Sequence, residues 1–250
     1  MEISLAAEPL FHIGSFPVTN TLIVTLALSA VVVISSILLK NKMKIIPKGF
    51  QNIVEYVIEA LLNLVDSVTQ DKNQTKKFFP LVSTIFIFVI LSNWVEIIPG
   101  LGTVGLREIK EGKEIIVPFL RSSSADLNMT LALALISVFS VQFMGIAAIG
   151  AVKYAKKFFV SPLNKPYVIG SFVGVLELIG EIAKIISFSF RLFGNIFAGE
   201  VLLIVMLTLV PFIVPLPFLM LEIFVGFIQA LVFAMLTLVF LKMAVTETAH

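Results

Sequence analysis

Six charged side chains lie where a polypeptide has least use for them. Glu177, Glu181, Lys184, Arg191, Glu200 and Glu222 fall within or at the ends of long apolar stretches in the C-terminal third of the chain. A charge at the centre of a bilayer costs about 2.5–3.5 kcal/mol on insertion scales, so such residues face protein or water and have a task. Arginine keeps its proton at any accessible pH, because its pKa exceeds about 12. Arg191 therefore cannot relay protons, but it can act as a fixed positive barrier and as a transient partner for a carboxylate that comes to it. Glutamates relay protons when their surroundings adjust the pKa. The chemistry implied is a gated ion path in which one arginine separates two compartments.

Spacing sharpens this reading. At about 100° per residue, Glu177, Glu181, Lys184, Arg191 and Asn195 form one polar stripe about 80° wide on a single helix. Glu200 falls about 140° from Glu177 and faces something else. On the last helix, Glu222 and Gln229 are seven residues apart and share a face. Glu177, Glu181 and Lys184 stand at i, i+4 and i+3 spacings and fit a structural salt-bridged cluster equally well. Asn195 and Gln229 also fit interhelical hydrogen bonding. Arg191 is harder to explain structurally. It has no acidic residue three or four positions away, and its neighbours are Phe188, Phe190, Phe193 and Phe197.

The elements that must hold these residues are membrane helices. The 250 residues are 58% hydrophobic and 14% charged, and the mean hydropathy is +1.06. A soluble domain is nearer a quarter charged, so the chain reads as one all-α, polytopic membrane domain over residues 1–250. Residues 1–18 lack the basic start of a signal peptide and read as an external N-terminus. Spans are expected at about Asn20–Leu39, Phe78–Ile98 and Leu127–Val152. Residues 49–71 alternate apolar positions such as Phe50, Ile53, Val57, Leu61 and Val65 with Glu55, Glu59 and Asp66 at helical period. That pattern fits an interfacial amphipathic helix or one packed on protein. Residues 101–128 form an external polar loop, in which Glu111-Gly112-Lys113 followed by Ile115-Ile116-Val117 can make a hairpin. Residues 168–210 read as helix without a break. At 1.5 Å per residue that is about 60 Å, against roughly 30 Å of hydrocarbon, so the segment is either steeply tilted or divided. Pro211, Pro215 and Pro217 force a turn, and a last helix runs from about Phe218 to Met243.

Five crossings put the loops around 40–48, 72–77 and 153–165 on the side of the C-terminus. That side holds twelve lysines; the other holds only Arg107, Lys110, Lys113 and Arg121. The positive-inside rule then sets the N-terminus outside and the C-terminus inside. The net charge of +2, with no basic stripe, gives no support to nucleic-acid binding. Cysteine is absent, so no thiolate metal site exists, and neither metal nor cofactor is expected.

The stretch Ser187-Phe-Ser-Phe-Arg191-Leu-Phe-Gly-Asn195-Ile-Phe-Ala-Gly-Glu200 resembles the signature of subunit a of F-type ATP synthases. Four other stretches resemble further parts of that family, in the right order along nearly the whole chain. They are Gly14-Ser-Phe-Pro-Val-Thr-Asn20, Ser92-Asn-Trp-Val-Glu-Ile-Ile-Pro-Gly100, Ala125-Asp126-Leu-Asn128-Met-Thr130 and Glu222-Ile-Phe-Val-Gly-Phe-Ile-Gln229. The resemblance implies a strongly tilted helix pair over residues 168–243 that wraps a rotating ring of c-subunits. It implies two offset half-channels that load and unload the ring's carboxylates. By this likeness Arg191 stands between the channels. Glu200, Glu222, Asn195, Gln229 and Asp126 match the outer path, Ser187 lies near the inner path, and Glu177 lines its mouth beside Glu181 and Lys184. Expected partners are the c-ring, the b subunits of a peripheral stalk, the rest of the complex and membrane lipid, in a bacterial cytoplasmic membrane.

One departure stands out. Relatives often pair a histidine with a glutamate at the positions matched by Glu200 and Glu222, whereas both are acidic here. Two close carboxylates repel and can share a proton. No Gly-rich loop with Lys and Ser/Thr is present to cradle phosphates, so nucleotide chemistry is expected in partner subunits and none in this chain. A secondary antiporter would show an inverted repeat, which the sequence lacks, and a purely structural subunit has no use for Arg191. The choice between H⁺ and Na⁺ is not encoded in any motif seen.

Overall fold

The computed structural model describes residues 7–95, 97–98, 105–110, 113–118, 121–158, 169–210 and 213–246. A short hairpin, β1 (Pro9–Ile13) and β2 (Phe16–Thr19), precedes α1 (Asn20–Lys42). Then come α2 (Phe50–Thr69), α3 (Lys72–Val95), a second antiparallel hairpin of β3 (Gly105–Lys110) and β4 (Lys113–Pro118), and a 3₁₀ turn at Ser123–Ala125. Helices α4 (Leu127–Ile149), α5 (Ala151–Phe158), α6 (Ile169–Leu209) and α7 (Pro215–Thr246) complete the chain. Five of these, α1, α3, α4, α6 and α7, are long and apolar enough to cross a membrane.

All five expected spans are present, with shifted ends. Helix α3 starts at Lys72 rather than Phe78 and runs through Pro80, a position where proline forfeits one backbone bond. Helix α4 stops at Ile149 because Gly150 adopts φ +91°, which glycine reaches without Cβ cost. The chain then folds back as α5, where the Tyr154 hydroxyl donates to Gln142 Oε1 and its ring lies against Gly145. Helix α7 starts at Pro215, three residues before Phe218, since proline in a first turn lacks only an N–H that has no intrahelical partner. Residues 1–18, read as a tail, include the β1–β2 hairpin. Its turn places Gly14 at φ +65°, the arrangement of a type II′ turn with glycine first. The hairpin expected around Glu111-Gly112-Lys113 exists as β3 and β4; Glu111, Gly112, Pro99, Gly100 and Pro211 lie outside the described residues.

Helix α6 runs unbroken for 41 residues, about 60 Å, which excludes division into pieces. It must lie oblique to a bilayer normal or project beyond the hydrocarbon. Helix α2 buries Leu61, Val65 and Thr69 against α3, while Phe50, Ile53 and Tyr56 at its other end stay exposed. It is therefore packed on protein along one half only. Its last turn is held by Lys242 of α7, whose Nζ donates to the Val68 carbonyl at 2.6 Å, a cation where the helix dipole favours one.

Helices α3, α4, α6 and α7 form the core. Gly226, Ala230 and Ala234 recur every fourth residue along α7 and are buried, letting α3 approach closely. Asn93 Nδ2 donates to the Gly226 carbonyl at 2.9 Å, and Trp94 Nε1 to the Ile223 carbonyl at 3.2 Å. Ser137 meets Thr237 at 2.8 Å, and Thr130 meets Ser189 at 3.2 Å. A side chain at Gly226 would sit 3.1 Å from Asn93 Cβ. Gly226→Val is therefore expected to cost about 1–3 kcal/mol by overpacking, seen as a lowered midpoint in thermal denaturation of the detergent-solubilised protein.

Candidate functional site

The charged side chains of α6 sort into three zones along one rigid element. At its N-terminal end Lys184 Nζ donates to Glu181 Oε1 at 2.7 Å, with the two side chains 25% and 11% exposed. The same ammonium lies 4.6 Å from the Phe240 ring centroid of α7, a cation–π contact that helps hold it in apolar surroundings. Glu181 Oε2 is buried with no hydrogen-bond partner among the described residues. Glu177, one turn earlier, is half-buried and is itself engaged. The salt-bridged cluster anticipated from spacing is thus real for Glu181 and Lys184.

The middle zone is Arg191. Phe188, Leu192 and Ile196 are buried on the core side of α6, which turns Arg191 toward the opposite, open face. There it is half-exposed, among exposed Ser187, Gly194, Asn195 and Ala198. A Cβ added at Gly194 would meet nothing within 4 Å. Arg191 Nη2 donates to Ser187 Oγ at 3.3 Å; among the described residues no carboxylate pairs with it. Asn195 is exposed and Gln229 half-buried. The interhelical hydrogen bonds that these two could have made are made instead by Asn93, Ser137, Thr130, Ser189 and Thr237.

The third zone contains a residue that sequence reasoning missed. Arg121, counted there only as a loop cation, reaches across to Glu200. Its Nε donates to Glu200 Oε1 at 2.9 Å and Oε2 at 3.1 Å, and its Nη2 donates to Oε2 at 2.8 Å. The side chains are 7% and 17% exposed, and the guanidinium carbon sits 5.9 Å from the Phe197 ring centroid. Arg121 is placed by the 3₁₀ turn that follows it. There Ser122 Oγ donates to the Ser92 carbonyl at 3.1 Å, and Ser123 and Ser124 hydroxyls meet that of Ser92. The turn is thereby fastened to α3. The two residues are 79 positions apart, so no local spacing could have paired them; the only available signal was an arginine directly before a buried serine run.

Glu222 of α7 lies beside this pair, 6% exposed, and neither of its oxygens has a hydrogen-bond partner among the described residues. Gly199 makes the room, since a Cβ there would collide with Glu222 Oε1. Asp126 occupies a different setting. Its Oδ1 accepts from Asn128 N–H at 2.9 Å as the N-cap of α4, and its Oδ2 accepts from Thr21 Oγ1 at 2.8 Å. Both oxygens are committed to joining α1 and α4.

The chain is thus a multi-pass α-helical membrane protein whose longest helix carries an isolated arginine between two carboxylate-bearing zones. A family model described as ATP synthase A chain matches residues 21–242. Three curated relatives are called ATP synthase subunit a. One, from Campylobacter jejuni strain 81-176, is 34% identical over 241 residues, 96% of this chain and 91% of the relative. One from Campylobacter curvus strain 525.92 is 35% identical over 225 residues, 88% of each chain. One from Helicobacter pylori strain Shi470 is 36% identical over 211 residues, 84% of this chain and 83% of the relative. This chain belongs to the ATP synthase subunit a family, a membrane subunit of the F-type synthase.

Asp126→Ala removes a helix cap and the tie to Thr21 together. It is expected to lower stability by about 1–2 kcal/mol, while Thr21→Val costs less because the cap survives. Thermal unfolding of the two solubilised variants, compared side by side, checks the ranking.

Proposed function

We propose that the chain is the ion-conducting stator subunit of its synthase, with two offset half-channels that load and unload the carboxylates of a rotating c-ring and so couple H⁺ or Na⁺ flow to ATP synthesis. The observation that carries this reading is Arg191, a permanent cation on the open face of α6, lined by small side chains and without a carboxylate partner among the described residues. Small residues allow another helix to come close. A carboxylate carried on that helix would meet the guanidinium, which favours the ionised carboxylate, so it would release its ion into one half-channel there and take up another from the other half-channel before moving on.

The remaining residues take their places around this pivot. Glu200 and Glu222, with Asn195 and Gln229, belong to the outer half-channel, and Asp126 stands at its edge as a cap. Ser187, Glu177, Glu181 and Lys184 belong to the inner one. The orientation follows from the lysine distribution, N-terminus outside and C-terminus inside, in a bacterial cytoplasmic membrane. One charge moved through 100 mV yields about 2.3 kcal/mol, too little for one ATP, so rotation must add several. The stator role calls for the b subunits of a peripheral stalk, and nucleotide chemistry falls to the other subunits.

Arg191→Ala is expected to abolish ion-driven ATP synthesis in membrane vesicles while the subunit still inserts and assembles; coupled synthesis surviving in that variant defeats the proposal. Arg191→Lys is expected to fail too, since lysine can release its proton in apolar surroundings, and growth on a respiratory substrate reads this out. Synthesis measured with and without sodium in the same vesicles identifies the ion: dependence on sodium assigns Na⁺, indifference assigns H⁺.

A further inference from the structure

We infer that Glu222, not Glu200, is the carboxylate that exchanges the ion in the outer zone, and that Arg121 is a positioning residue that keeps Glu200 out of the exchange. This rests on the ion-path reading above. The two acids are neighbours with opposite surroundings. Both Glu200 oxygens are held in a fork of three hydrogen bonds from Arg121, all between 2.8 and 3.1 Å. Bidentate guanidinium–carboxylate pairs are the strongest and most directional of charged hydrogen bonds, and this one is largely removed from solvent. Separating it would strand two charges in an apolar setting.

Glu222 has no such occupant. Its carboxyl group lies against the α6 backbone at Gly199, one residue before Glu200, and both its oxygens are buried without a hydrogen-bond partner among the described residues. A single ion arriving between the two acids meets one carboxylate already paired with a guanidinium and one without a hydrogen-bond partner among the described residues. In the exchange step Glu222 takes one ion from the outer side and passes it to the acceptor carboxylate: for H⁺ an O–H bond forms on Glu222 and breaks as another forms on the acceptor, for Na⁺ only coordination changes hands, and the Arg121–Glu200 pair stays neutral throughout. Arg121 also fixes where Glu200 points, which keeps the gap beside Gly199 free for Glu222. Here a second acid is tolerated because the guanidinium of Arg121, held just before the 3₁₀ turn, neutralises it.

The test uses the whole synthase in inverted membrane vesicles, reading ATP-driven ion pumping and the amount of the chain in the membrane. Glu222→Gln is expected to cut pumping roughly a hundredfold, as removal of an ion-exchanging acid does. Arg121→Gln and Glu200→Gln each leave one charge without its partner and are expected to be impaired. The double variant Arg121→Gln/Glu200→Gln removes both charges and is expected to regain about tenfold over either single change, a coupling of the kind double-mutant cycles detect. A double variant no better than Glu200→Gln means that Glu200 itself carries the ion, and overturns the inference. Gly199→Ala gives a second reading that needs no charge change. The added methyl displaces the Glu222 carboxyl and is expected to lower pumping about tenfold at an unaltered chain level; normal pumping in that variant also overturns the inference. If the double variant does not accumulate, the Gly199→Ala and Glu222→Gln results decide. Arg191→Ala in the same vesicles separates the two levels: pumping retained there sinks the ion-path reading as a whole, whereas pumping lost there together with an unrescued double variant leaves that reading standing and overturns the roles given to Glu222 and Arg121.

Discussion

A guanidinium cannot shed its charge, so in hydrocarbon it must be met by an anion, by polar groups or by water, and Arg121 and Arg191 meet that constraint in opposite ways. Arg121 is met from within. Its fork closes on Glu200, and a serine-lined turn fastened to α3 holds it there. Among the described residues, Arg191 is met from within by a serine hydroxyl 3.3 Å away and by no carboxylate. On the proposed reading, the arginine committed so fully is the structural charge and the other is the working one. The separation depends on α6 being rigid: the same helix that carries Glu200 to Arg121 turns Arg191 outward, because Phe188, Leu192 and Ile196 fix its rotation against the core.

Rigidity in turn comes from how the four core helices touch. Lipid tails are as apolar as leucine, so burial of apolar side chains gives little drive for association within a membrane. Close backbone approach and interhelical hydrogen bonds remain. Gly226, Ala230 and Ala234 supply the approach between α3 and α7, and Asn93 exploits it by bonding to the Gly226 carbonyl. Ser137 with Thr237 ties α4 to α7, and Thr130 with Ser189 ties α4 to α6. Such bonds average about 0.6 kcal/mol each in membrane proteins. Their importance is in register as much as in energy: a one-residue slip of α6 would turn Ser189 away from Thr130 and carry Glu200 out of reach of Arg121.

Much of this was legible in the sequence. Apolar length gave five spans with shifted ends, and the continuity of residues 168–210 gave a helix too long to stand upright. Helical spacing alone put Arg191 and Asn195 on one stripe and sent Glu200 elsewhere, and the observed partner of Glu200 lies off that stripe. Spacing also offered Glu181 and Lys184 as a pair, which they are. What stayed hidden depended on contacts distant in the chain or on single backbone angles. Arg121 and Glu200 meet only after three helices have packed. The fold-back at Gly150 depends on one positive φ and on Tyr154 finding the bare surface of Gly145. Asp126 entered the outer path through the family likeness alone; that one oxygen caps α4 and the other accepts from Thr21 is a tertiary detail that composition does not carry.

The spacing of the zones along α6 leads to a final consequence for the proposed function. Seven residues separate Lys184 from Arg191 and nine separate Arg191 from Glu200, about 10 Å and 14 Å of helix. Proton or cation transfer between side chains needs groups within about 3 Å, directly or through one water. Neither gap can be crossed by rotamer changes, since the helix is continuous and its core face is locked. On the proposed reading, the described residues then offer an approach on each side and no through-route between them, and a carboxylate supplied from outside, moving across the small-residue face past Arg191, would convert two dead ends into one path. The same geometry makes leakage costly, because an ion attempting the direct crossing must pass a guanidinium that never loses its charge.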